Sequence, residues 1–210
     1  MKNIKSFPKL CVSGSAVDIA GPEAFRKAYQ LGQAIAAQNA ILVNGATTGT
    51  PYEAAHGAKV AGGMVIGFSP AISKREHVNK YKLPLEYLDV VVYTGSGYAG
   101  RNLQLTRASD AVLFVSGRIG TLNEFTIAFE DKKPIGVLMG TGGIIPELEH
   151  ILKVAKRGAK HIVFDSDPDR LVKKVLKMVK AEDRPLQIKN KKNSHKQHFH
   201  PTAPQTGIPE

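Results

Sequence analysis

One cysteine, Cys11, in 210 residues leaves nothing for an internal disulfide to join. It sits beside Val12 in an apolar run, where a buried strand thiol is expected, and no sequence neighbour would lower its pKa. No run of about 18 apolar residues occurs anywhere, so a bilayer-spanning helix is not expected. The opening segment, MKNIKSFPKLCVSGSA, lacks both an uninterrupted apolar stretch and a small-residue cleavage signature. A secretory leader is therefore not expected, and a cytoplasmic location is. No internal repeat is visible. Acidic residues are also few, 18 against 29 Lys plus Arg, giving a net charge of +11. Of that excess, +9 lies before Glu182 and only +2 after Ala181, so it belongs mainly to the folded part and favours anionic, phosphorylated partners.

What is present fits one domain. The chain is 42% hydrophobic, with 20 Gly and 12 Pro, and its length suits a single core. Short β-type runs recur at Leu10–Val12, Ala40–Val43, Met64–Phe68, Val90–Tyr93, Ala111–Val115, Ile135–Leu138 and His161–Phe164. Most are apolar on both faces, as in parallel sheets covered by helices on each side; half-exposed antiparallel strands would alternate. Helical patterns fall between them at Pro22–Gln38, Pro51–Ala61, Leu122–Phe129, Ile145–Arg157 and Arg170–Lys180. The expected fold is α/β: a Rossmann-like, doubly wound, mainly parallel sheet of about seven strands with helices on both faces, spanning residues 1–181. From Glu182 to Glu210 the apolar periodicity stops, and a flexible basic tail is expected. Its His195, His198 and His200 lack a preformed geometry, so no metal site is assigned.

In an open parallel sheet, ligands bind at the carboxyl ends of the strands, where helix N-termini offer free N–H groups to phosphate. Small-residue turns fall there three times: Ser13-Gly14-Ser15-Ala16, Asn44-Gly45-Ala46-Thr47-Thr48-Gly49-Thr50 and Ser116-Gly117-Arg118-Ile119-Gly120-Thr121. One such loop says little, since tight strand-to-helix turns are general in α/β proteins; three on one sheet edge suggest a phosphate cradle. Gly14, Ser15, Gly45, Thr48, Gly49, Gly117, Arg118, Gly120 and Thr121 are its candidate binding residues. The first loop is not GxGxxG and no acidic residue is placed for an NAD ribose, which disfavours a dehydrogenase. Tyr93 and Tyr98 near the fourth strand could stack on a base or simply pack. His56 and Asp110 read as structural.

The segment Gly100–Glu130 resembles the LOG family, cytokinin riboside 5′-monophosphate phosphoribohydrolases once described as lysine decarboxylases. That family lies in a Rossmann-like nucleotide-binding superfamily with molybdenum-cofactor carriers and DNA-processing proteins, and the resemblance runs from about Lys9 to Leu138. Ser116-Gly117-Arg118-Ile119-Gly120-Thr121-Leu122-Asn123-Glu124 is similar to the family's P-G-G-x-G-T-x-x-E, and Arg101 through Ala111 keeps the spacing of its R-K-x-x-M-x-x-x-S-D-A. By the resemblance, Arg101 and Glu124 fall on the catalytic arginine and glutamate. The sequence departs from the family pattern at Asn44, Ala46, Ser116 and Arg118.

The resemblance implies hydrolysis of the N-glycosidic bond of a nucleoside 5′-monophosphate, and a homodimer. A carboxylate such as Glu124 could oppose the positive charge that develops on the sugar or activate water, and Arg101 could grip phosphate oxygens. The alternative is a non-catalytic carrier or sensor of a nucleotide-derived ligand such as molybdenum cofactor. The altered glycine segments favour the carrier; the retained Arg101 and Glu124 favour the enzyme. No cofactor is expected, nucleic acid is disfavoured as a partner, and lysine decarboxylation is excluded because no lysine has a cofactor-anchoring context.

Overall fold

The computed structural model describes residues 7–17 and 21–192, with side chains through residue 181. Seven strands form one parallel sheet: β1 (Lys9–Gly14), β2 (Ile41–Asn44), β3 (Val65–Ser69), β4 (Val90–Tyr93), β5 (Ala111–Val115), β6 (Ile135–Leu138) and β7 (Ile162–Asp165). Their order is β4-β3-β2-β1-β5-β6-β7. The chain builds outward from β1 to β4, crosses back to β5 on the other side of β1, and builds outward again. The order therefore reverses between β1 and β5, which opens a crevice at the carboxyl ends of those two strands.

The helices are α1 (Gly21–Ala37), α2 (Thr50–Val60), α3 (Lys74–Asn79), α4 (Gly97–Ala108), α5 (Ile119–Glu130), α6 (Leu148–Val154) and α7 (Pro168–Lys192), with a 3₁₀ turn at Ile145–Glu147 before α6. Alternate strand residues serve opposite layers, as a two-unit side-chain period requires. Leu10, Val12, Leu42, Leu113 and Val115 pack with Leu31 and Ile35 of α1, Ala54 and Ala58 of α2, and Leu171 and Val175 of α7. Cys11, Val43, Val112 and Phe114 face the other way, toward Leu105 of α4, Phe125 of α5 and Leu148 of α6. Burial raises the Cys11 thiol well above its ordinary pKa. All five residues of β5 are buried, so its hydrophobic run has no polar face to alternate with.

One core contact aims the site. Phe114 on β5 and Phe125 on α5 meet edge to face, ring centroids 5.4 Å apart and planes at 71°, and both are fully buried. This pair fixes α5 against its strand and so sets where its first turn points. Losing either ring to alanine would cost about 3–5 kcal/mol.

The structure adds two helices to those the sequence suggests. α3 is short and tied at its start by two side chains: the N-cap Ser73 Oγ accepts from the Glu76 N–H (3.2 Å), and Glu76 Oε2 accepts from the N–H of Ile72, one residue before the cap (2.8 Å). α4 buries Arg101, Asn102, Leu105 and Thr106, a mostly polar face that leaves no apolar stripe to read. Three boundaries also move. α5 starts at Ile119, so Gly120 and Thr121 lie inside its first turn and Arg118 is its N-cap. α6 is preceded by a 3₁₀ turn where one helix was expected. α7 runs to Lys192 beyond the expected end at Lys180, across Pro185 and past the point where the apolar periodicity stops. Residues 193–210, with the three tail histidines, lie outside the described residues. Among the described residues, no helix is long and apolar enough to cross a membrane.

Candidate functional site

β1 and β5 pair in register from Leu10 with Ala111 to Gly14 with Val115, so they end level and their loops open side by side. The loop after β2 is laced to the loop after β1. Thr50 N–H donates to the Ser15 carbonyl (2.9 Å), and Thr48 Oγ1 donates to the Ala16 carbonyl (2.6 Å). Gly49 permits this approach: its φ is 77°, and a Cβ there would stand 1.9 Å from the Ser15 oxygen. The loop after β5 is braced from the far side, with Ser116 N–H donating to Thr141 Oγ1 (2.9 Å) and Ile144 N–H to the Gly117 carbonyl (3.0 Å).

The starts of α2 and α5, the helices that follow the second and third small-residue loops, are not equivalent. At α2 the Thr50 amide is taken by Ser15, Pro51 has no N–H, and Tyr52 and Glu53 both donate to Gly49. That start is closed. At α5 the first intrahelical bond is Leu122 N–H to the Arg118 carbonyl (3.0 Å). The amides of Ile119, Gly120 and Thr121 precede it and have no backbone partner among the described residues, so this start presents open donors of the kind that suit an anion. A Cβ on Gly120 would meet nothing within 4 Å, so this turn faces open space.

That space is a cleft of about 490 Å³. Of the residues singled out from sequence, Gly14, Ser15, Gly45, Thr48, Arg101, Arg118, Gly120, Thr121 and Glu124 line it. Gly49 and Gly117 do not; they shape the turns behind it, Gly117 at φ 105° against the Thr121 side chain.

At the cleft floor Arg101 of α4 and Glu124 of α5 form a buried ion pair, Nη1 to Oε1 at 3.3 Å, with both side chains 7% exposed. Ser13 Oγ donates to the other carboxylate oxygen, Oε2. Burial pushes the Glu124 carboxyl above the ordinary range, opposed by the Arg101 charge and the Ser13 hydrogen bond. Arg101 Nε is buried without a partner among the described residues. Such a pair holds its geometry firmly, because removing either member strands the other in a dry site.

Residues 8–172 match the SLOG cluster4 family. The chain belongs to that family. Its SLOG fold is Rossmann-like and nucleotide-binding, in keeping with the topology and the crevice described above. An uncharacterized protein of Archaeoglobus fulgidus is 34% identical over 116 residues, 55% of this chain and 71% of that protein. Among solved structures, the molybdenum cofactor binding protein of Rippkaea orientalis is 27% identical with a TM-score of 0.69, over 83% of this chain and 98% of that one. The molybdenum cofactor carrier protein of Chlamydomonas reinhardtii is 28% identical with a TM-score of 0.68, over 84% and 99%.

In this SLOG protein the further residues that line the cleft, and that sequence reasoning did not single out as candidates, include Ser13, Tyr81, Lys82 and Asn102. Ser13 sits one residue before Gly14 in the first loop, so its place at the strand end was a usable signal. Tyr81, Lys82 and Asn102 gave none, since a bend after α3 and a polar helix face bring them in. Tyr98 lines the cleft and meets Tyr81 edge to face, centroids 5.5 Å apart, whereas Tyr93 turns toward His77. His56 stacks on Tyr87 at 4.5 Å and Asp110 pairs with Lys9, both structural roles. Among the described residues, no group of three His, Cys, Asp or Glu could hold a metal ion.

Proposed function

We propose that this SLOG protein binds a phosphorylated, nucleotide-derived small molecule in the cleft and holds it without cleaving it, as a carrier or sensor. The observation that carries this reading is the difference between the first and second turns of α5. Its first turn presents open amides and an unobstructed Gly120, while both carboxylate oxygens of Glu124 are engaged, by Arg101 and Ser13. Donors for a phosphate are free; the group that would act on a glycosidic bond is committed to its neighbours. The likeness to molybdenum cofactor binding and carrier proteins supports the same reading, with molybdenum cofactor a candidate cargo.

A second reading, hydrolysis of a nucleoside 5′-monophosphate to free base and ribose 5-phosphate, is favoured by a different observation. Glu124 lines the cleft beside Arg101, and its raised pKa makes protonation easier than for an exposed carboxylate. Incubating the protein with a panel of nucleoside 5′-monophosphates separates the two. The carrier reading expects binding with no base released, and Glu124→Gln retaining affinity. Base release by the wild type, reduced on the order of 100-fold or more in Glu124→Gln while affinity persists, would overturn it in favour of the hydrolase. The homodimer implied by the LOG resemblance belongs to this proposal too, and sedimentation equilibrium measures it.

A further inference from the structure

Two cations at the cleft are uncommitted. Lys82 and Arg118 both line it, both are exposed, and neither has an ion-pair partner among the described residues. The third cation, Arg101, is neutralised by Glu124. The two free charges come from opposite sides of β1. Arg118 caps α5 on the β5 side, next to the open amides. Lys82 comes from the connection between α3 and β4, beside Tyr81, whose ring meets Tyr98 at 5.5 Å and 83°. Tyr98 is half exposed, leaving aromatic surface at the cleft for a planar group. A phosphate seated on the first turn of α5 would satisfy Arg118 and the amides, and would leave Lys82 on the tyrosine side unanswered.

We infer that the cleft selects a nucleotide-derived ligand carrying a second anionic group besides the phosphate on α5, with Lys82 as the specificity-determining residue for that second group. This rests on the phosphate-binding reading above and adds to it the ligand's charge and the residue that reads it. Arg118 stands where the LOG pattern has glycine, and Lys82 belongs to no motif, so the preference is a property of this chain's own residues.

Titration calorimetry with the full chain tests the inference. The probes are adenosine and guanosine, their 5′-monophosphates, their 5′-diphosphates and their 3′,5′-bisphosphates. The two forms that carry a second phosphate group distinguish adjacent from separated groups. In the wild type, at least one of them binds about tenfold or more tightly than its 5′-monophosphate. Lys82→Gln, at an exposed position, erases the advantage, so that the two forms bind alike in that variant. Equal affinities in the wild type, or an advantage that survives in Lys82→Gln, overturn the inference alone. Failure of every phosphorylated probe to bind better than its nucleoside overturns the phosphate site itself, and the inference with it.

Discussion

The Arg101 guanidinium occupies the space a side chain on residue 45 would fill. A Cβ built on Gly45 stands 2.1 Å from Nη1 and 2.6 Å from Cζ. The second glycine-bearing loop thus serves a charge on α4, as well as bordering the cleft. Asn44 helps hold that loop, its Nδ2 donating to the Pro51 carbonyl (3.1 Å) and its Oδ1 accepting from the Ala46 N–H (2.9 Å).

Gly45→Ala is accordingly expected to push Arg101 off Glu124. A fully broken buried pair costs about 3–5 kcal/mol, and because the guanidinium is the end of a flexible side chain that can yield into the cleft, the expected loss is about 1 kcal/mol. Chemical denaturation measures it. A change below about 0.5 kcal/mol, the scale of an ordinary surface substitution, would show that the guanidinium does not need this space.

Gly120→Asp places a negative charge on the open first turn of α5, where nothing within 4 Å opposes the new Cβ. Stability should hardly move. Affinity for nucleoside monophosphates should fall by about tenfold or more, and affinity for the parent nucleosides much less. Equal losses for both, read by calorimetry, would place the phosphate elsewhere.

Asp165, at the end of β7, accepts from Arg170 Nε and Nη2 (both 2.6 Å), from Lys174 Nζ (2.7 Å) and from the Asp167 N–H (3.0 Å). These bonds, the Arg170 pair foremost, hold its carboxyl well below the ordinary range. A carboxylate depressed in the folded state stabilises at neutral pH and loses that contribution as pH falls below about 4, where the unfolded chain takes up protons first. Asp165→Asn should therefore lower stability at pH 7 by about 1 kcal/mol, a figure discounted because both cations are half exposed. The difference from wild type should shrink as the pH is taken below 4. Melting curves across pH that stay parallel would rule this linkage out.

Ending the chain after Asp183 should leave the melting temperature within about 2 °C and nucleotide affinity within about twofold. The buried residues of α7 that join the core are Leu171, Val172, Val175, Leu176 and Val179, all before the cut. A large loss of either quantity would mean that the segment beyond Asp183 docks on the domain.

The sequence by itself determined where along the chain the strands and most helices fall, because the central strands of this sheet are covered on both faces and read as apolar runs, as Ala111–Val115 does. It also placed the cleft at one sheet edge, since the turns that need small residues are the turns a ligand meets, and motif spacing picked out Arg101 and Glu124. What only the tertiary structure decided is how those residues are engaged. Apolar periodicity reports burial against a hydrophobic core, so α4, whose buried face carries Arg101, Asn102 and Thr106, was invisible to it. The free energy of burying those polar groups is set by partners far along the chain, Glu124 for Arg101 and Ser13 for Glu124. The same holds for the difference between the closed start of α2 and the open start of α5. Both read as small-residue turns, and only the backbone hydrogen bonds from one loop to the next distinguish them.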